Sequence, residues 1–231
     1  MKITFNMATI PSRYQLALKA IDSIYEQADE VRIYLNNFTE VPKELLRDKI
    51  TTHIGKDLMS TGKLFWALNH DEYYFCIDDD LRYPTTYAQY MISVLNKFND
   101  DICASLHGKI LKPTPINSYF KGILNSFQCL AGFPISIFVH VIGNGVSVFN
   151  TNKVKIDYSK FKYLYMDDIE VSLQLQQQKI PALVISHDAN YLGYEEPNNI
   201  EGVQTLYTMY HNNDSTQTER ANSIKWKIFK I

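Results

Sequence analysis

The sequence predicts an α/β protein built on a mostly parallel, twisted sheet with helices on both faces. Three observations lead there. Strand-like and helix-like segments alternate through the first hundred residues, the apolar strand runs end abruptly in polar loops, and 231 residues with 45% hydrophobic and 21% charged side chains can bury one large core.

Ile3, Phe5 and Met7 alternate with more polar neighbours as a first strand, the Thr9–Arg13 loop follows, and Tyr14 to Tyr25 has a helix's spacing. Val31, Ile33 and Leu35 form a second strand ending at Asn36-Asn37, and Ile50 to Ile54 a short third one. The loop Gly55 to Gly62 feeds a short helical run, Lys63 to Leu68. Tyr73 to Ile77 is a strand closed by Asp78-Asp79-Asp80, and Met91, Val94, Leu95 and Phe98 mark a helix over Tyr87 to Phe98. Further on, strands are expected at Ile102 to Leu106 and Val146 to Phe149. Residues 169–178 combine a strand's alternation with a helix former's composition, so periodicity leaves them undecided. The chain reads as one domain over residues 1–195, in two halves of about 1–100 and 101–195. Residues 196–231 read as a mobile polar tail, packing on the domain or lying over the site, and closed by a basic-aromatic end.

A formal charge of −2 offers no net attraction for a polyphosphate backbone, so nucleic acid is not expected as a partner. Cys76, Cys103 and Cys129 are far apart, lack zinc spacing and read as free thiols in a reducing, cytoplasmic setting. The N-terminus has no apolar core of a signal peptide. Cys129 to Phe149 is the most membrane-like stretch, but Pro134, His140, Gly143, Asn144 and Gly145 interrupt it, so core and loop are expected there, with peripheral membrane contact a lesser alternative.

Three adjacent carboxylates raise one another's pKa unless a cation compensates them, and Mg²⁺ or Mn²⁺ takes such hard oxygen ligands together with substrate phosphates. A solvated acidic turn is the plainer alternative for Asp78-Asp79-Asp80. Arg13 and Lys63 suit the phosphate side of such a site, although either alone also reads as a surface cation. Asp167-Asp168 forms a second acidic pair, read either as a general base for an acceptor hydroxyl or as a helix N-cap. Gly143-Asn144-Gly145 permits close backbone approach. Among the histidines, His187 is the one to test as an extra metal ligand.

In order along the chain, Ala8-Thr9-Ile10-Pro11-Ser12-Arg13, the segment DLMSTGKLFW from Asp57 to Trp66, and YYFCIDDDLRYP from Tyr73 to Pro84 resemble the donor half of family 2-type GT-A glycosyltransferases. Ser105-Leu106-His107-Gly108, Gly143-Asn144-Gly145 and Met166-Asp167-Asp168-Ile169 resemble the acceptor-side blocks of bacterial capsule and lipopolysaccharide enzymes of that type. The resemblance covers about residues 3 to 195. It implies a GT-A, Rossmann-like fold and an inverting, Mn²⁺- or Mg²⁺-dependent transfer from a nucleotide-sugar donor, a UDP-sugar by preference, to a saccharide or lipid-linked acceptor. It places Thr9, Pro11, Arg13, Asn36, Asp57, Lys63, Asp78 and Asp79 on the nucleotide-sugar side, Asp80 and Asp78 at the metal, and His107, Gly143, Asn144 and Gly145 beside sugar and acceptor. Asp168 matches the base position, with Asp167 as the alternative. Two other readings of the same residues are a sugar nucleotidyltransferase and a non-catalytic calcium- and saccharide-binding module.

Overall fold

The computed structural model describes residues 1–195 and 213–230. Its elements are β1 (Lys2–Thr9), α1 (Tyr14–Ile24), β2 (Glu30–Asn36), β3 (Ile50–Gly55), β4 (Glu72–Ile77), β5 (Leu81–Arg82), α2 (Tyr87–Lys97), β6 (Cys103–Ser105), β7 (Gly108–Leu111), β8 (Ile123–Phe127), β9 (Ile137–Val139), β10 (Val141–Ile142), β11 (Val146–Asn150), α3 (Asp167–Gln178), β12 (Ala182–Val184), β13 (Gly193–Tyr194) and α4 (Ser215–Ala221).

Eight strands form the main sheet in the order β3-β2-β1-β4-β11-β6-β12-β9. The β3-β2-β1-β4 block is parallel throughout, β11 runs antiparallel between β4 and β6, β12 is parallel to β6, and β9 closes the edge antiparallel. The fold is therefore mixed α/β with a large, mostly parallel sheet. β1 lies between β2 and β4, so chain connections leave it in opposite directions and open a crevice at the carboxyl ends of β1 and β4, where ligands bind in open α/β sheets.

Strand periodicity sends successive side chains to opposite faces, and β4 shows it directly. Phe75 and Ile77 join Phe5, Met7, Ile33 and Leu35 under α1 and α2, while Tyr74 and Cys76 join Phe149, Val171 and Leu175 under α3. Phe5 and Phe75 stack at 4.6 Å between ring centroids. Each such fully buried side chain contributes on the order of 2 kcal/mol. Cys76 and Cys103 are buried free thiols and Cys129 is a half-buried one.

The structure refines the sequence expectations in four places. The run expected over Lys63 to Leu68 is a 3-10 turn at Met59–Leu64, because Gly62 packs against the Tyr34 ring, 2.7 Å from where a Cβ would stand. Within the stretch read as core and loop, β9 and β10 form short strands. The undecided segment is α3, whose first turn carries Asp167, Asp168 and Glu170 and which stops at left-handed Lys179, φ 59°. Of the tail, residues 213–230 pack on the domain, one of the two placements expected for it, and are not mobile. Arg220 of α4 pairs with buried Glu170 at 2.6 and 2.8 Å, and Asp214 accepts from Ser118 at 2.6 Å. Residues 196–212 of that tail lie outside the described residues. Among the described residues no helix is long and apolar enough to cross a membrane.

Candidate functional site

A cavity of about 830 Å³ opens at the carboxyl ends of β1, β2 and β4 and faces the start of α3. Among the described residues, six carboxylates line it, Asp57, Asp78, Asp79, Asp80, Asp167 and Asp168, against three cations, Arg13, Lys63 and Lys109. Main-chain contacts aim the triplet. The Asp78 N–H donates to the Gly145 carbonyl at 2.9 Å, the Glu195 N–H donates to the Asp80 carbonyl at 2.9 Å, and β5 pairs with β13 immediately afterwards.

The three aspartates have three different surroundings. Asp79 is buried and accepts from the Thr9 hydroxyl at 2.8 Å and from Arg13 Nε at 3.0 and 3.1 Å, with a further contact to Arg13 Nη2. It anchors Arg13 across the β1–β4 crevice. Asp78 pairs with buried Lys63. Burial works to neutralise Asp78, but Lys63, followed by Arg13, more than reverses this and holds the carboxyl below its usual range. Asp80 has Arg13 Nη2 at 2.9 Å, yet burial and the charges of Asp78 and Asp79 push it up to about 6. Negative charge thus exceeds what the cavity's own cations compensate, and the surplus falls on Asp80.

Asp167 and Asp168 occupy the first turn of α3, one position past the N-cap, Met166. Neither side chain caps the helix. Asp167 accepts from Ser60 at 2.6 Å and from the Asn144 side-chain amide at 2.9 Å, with Lys63 at 3.8 Å. Burial first, then the neighbouring Asp168, raises it above its ordinary range despite Lys63. Asp168 accepts the Asn144 backbone N–H at 2.7 Å, leaves 34% of its side chain accessible, and has Lys109 Nζ at 3.6 Å. Lys109 is buried. Burial opposes its charge, while Tyr119 and Asp168 raise its pKa overall.

Twelve of the residues singled out from the sequence line this one cavity: Thr9, Pro11, Arg13, Asn36, Asp57, Lys63, the triplet, Gly145 and the Asp167–Asp168 pair. Asn36 spends its side chain on its own loop, accepting from Leu58 N at 2.8 Å and donating to the Met59 carbonyl at 3.0 Å. Asp57 likewise accepts from Met59 N at 2.8 Å and from Asn37 at 2.9 Å. Gly143, Asn144 and His107 stand behind the wall. A Cβ at Gly143 would strike the His107 ring, and one at Gly145 would overlap the Asp78 carboxyl. Burial, with Lys109, lowers the His107 pKa to about 4. His187, expected as an extra metal ligand, is not brought to the acidic cavity. It lies on a separate cavity that shares no lining residue with the first, because the chain leaving β12 turns toward α2.

Sequence reasoning passed over Ser60, Lys109, Tyr119, Phe120, Tyr165 and Gln217, which complete the lining. Two carried a usable signal, Lys109 two residues after the singled-out His107 and Ser60 inside the DLMSTGKLFW segment. The other four come from the Pro-rich loop, the segment before α3 and the docked tail, which carry no motif.

Among the described residues, no group of three or more His, Cys, Asp and Glu side chains stands in metal-ligating geometry. No protein-family model matches the chain, and no curated protein is significantly similar to it.

Proposed function

We propose that the protein is a metal-dependent glycosyltransferase of GT-A type, moving a sugar with inversion from a nucleoside-diphosphate sugar to a saccharide or glycolipid acceptor of bacterial surface-polysaccharide type. One observation carries this reading: a single cavity at the β1–β4 crevice has the charge-surplus Asp80 on one wall and the partly accessible, lysine-paired Asp168 on the other. Carboxylates held in such unlike surroundings suit unlike roles.

The residues present fit a divalent cation. The surplus charge on Asp80 favours one, and Asp80 with Asp78 offers hard oxygen donors while phosphate oxygens and water would fill the remaining positions. When bound, the ion would offset the charge that develops on the departing diphosphate. Arg13, fixed by Asp79 and Thr9, holds a guanidinium at the same mouth for phosphate oxygens. Asp168 takes the proton of the acceptor hydroxyl as its oxygen attacks the anomeric carbon, and the bond from that carbon to the diphosphate breaks, its electron pair leaving with the diphosphate. Lys109 stands 3.6 Å from the Asp168 carboxylate on the same wall. Asn144 holds both acidic side chains from behind.

The test is product release from a panel of nucleotide sugars with Mn²⁺ and with EDTA. Release of nucleoside diphosphate that EDTA abolishes supports the proposal. Pyrophosphate release from a nucleoside triphosphate would assign a nucleotidyltransferase instead, and full activity in EDTA would remove the metal.

A further inference from the structure

A second cavity, about 640 Å³, opens beside α2 and is lined among others by Gln89, Tyr90, Phe133, His187, Asp188 and Tyr191. Its walls are preformed. Phe133 and His187 exchange backbone hydrogen bonds of 2.7 and 3.0 Å, and the Tyr90 hydroxyl donates to the Ser186 carbonyl. The Tyr90 and Tyr191 rings meet edge to face at 5.8 Å, and those of Phe133 and His187 at 5.6 Å.

Polar groups here remain unspent. His187 is 8% exposed, and its Nδ1 lies 2.8 Å from the Ile185 carbonyl oxygen, to which it donates. That tautomer makes Nε2 an acceptor, and Nε2 is buried without a partner. An unpaired buried acceptor is unfavourable, and a ligand hydroxyl that reaches it would complete it. Gln89 and Asp188 also hold no side-chain hydrogen bond among the described residues.

The lining selects the ligand. Among the described lining residues no lysine or arginine is present and Asp188 is the one carboxylate, which disfavours phosphates, nucleotides and acids. Aromatic rings alternating with hydroxyl, amide and carboxylate edges match a neutral ring that has apolar C–H faces and a rim of hydroxyls. We propose that this cavity is a second binding site for a neutral pyranose ring, stacked on the aromatic wall and hydrogen-bonded by Gln89, Asp188 and His187 Nε2. The proposal stands independently of whether the acidic cavity transfers a sugar. The parallel β4, β6 and β12 do turn their carboxyl ends to one edge of the sheet, so both cavities open there.

Titration of the full chain with methyl β-glucopyranoside, methyl α-galactopyranoside and methyl α-mannopyranoside, read by NMR at the His187 imidazole and the Tyr90 ring, tests it. At least one glycoside is expected to give saturable shifts at millimolar concentration. Binding should weaken about 5- to 10-fold in Gln89→Ala and in Asp188→Ala, both exposed positions, as expected for one lost hydrogen bond. It should persist in Asp80→Asn, which alters only the acidic cavity. No saturable shift up to about 50 mM, a concentration at which affinity is negligible, would overturn the proposal. So would unchanged affinity in both variants, or shifts given by inorganic phosphate and not by the glycosides.

Discussion

Asp167 and Asp168 are adjacent in sequence but sit in unlike surroundings. Asp167 gives its oxygens to Ser60 and Asn144, whereas Asp168 keeps an accessible edge beside Lys109. Asp168→Asn is therefore expected to lower transfer by roughly 10²- to 10⁴-fold with donor binding retained, as measured by turnover and by calorimetry with a nucleoside diphosphate. Asp167→Asn should act through stability, lowering the melting temperature more than it lowers turnover. Asp80 carries a prediction of opposite sign for stability. Its folded pKa of about 6 lies above the unfolded carboxyl value, so its contribution is present below about pH 4 and lost as pH rises through 6. Without divalent cation, Asp80→Asn should be more stable than the parent at pH 7.5, by at most about 2–3 kcal/mol, and the two should converge near pH 4 in thermal denaturation. Equal stability at both pH values would show that Asp80 carries no surplus charge.

At the level of elements, β11 decides how the two acidic groups meet. It enters the sheet antiparallel to β4 with Val146 opposite Ile77, which brings Gly145 onto Asp78 and places Asn144 behind the start of α3. Gly145→Ala should force the Asp78 carboxyl off Lys63 and weaken Mn²⁺–nucleotide binding by an order of magnitude or more, with the circular dichroism spectrum unchanged. Retention of wild-type affinity would mean that Asp78 moves without consequence. The docked α4 works on the opposite wall, where Gln217 reaches the cavity and Arg220 ties the helix to Glu170 of α3.

Across the whole molecule, function and support lie at opposite ends of the strands. The carboxyl ends hold the acidic cavity, while the amino ends carry a buried network in which Arg32 binds Glu72 at 2.7 and 2.8 Å and Glu30 at 2.7 Å. Glu72→Ala leaves the Arg32 guanidinium poorly compensated, at a cost of about 3–5 kcal/mol and roughly 10 °C in melting temperature. Nucleotide affinity at low temperature should not change, since the network is remote from the cavity. The separation of these ends was readable from alternation alone: Ile3, Phe5 and Met7, then Val31, Ile33 and Leu35, then Tyr73 to Ile77 mark strands whose ends carry Thr9, Asn36 and Asp78–Asp80. Residues 169–178 were not readable, because their helix depends on packing Val171 and Leu175 beneath the sheet. By itself the sequence determined the α/β alternation and the polar residues at the strand ends, since those follow from local periodicity. Only the tertiary structure decided that Asp79 is an internal anchor, that Asp80 bears the surplus charge, that Lys109 faces Asp168 and that His187 belongs to another cavity. Those outcomes depend on burial and on charges brought together from distant parts of the chain, and no local pattern encodes either.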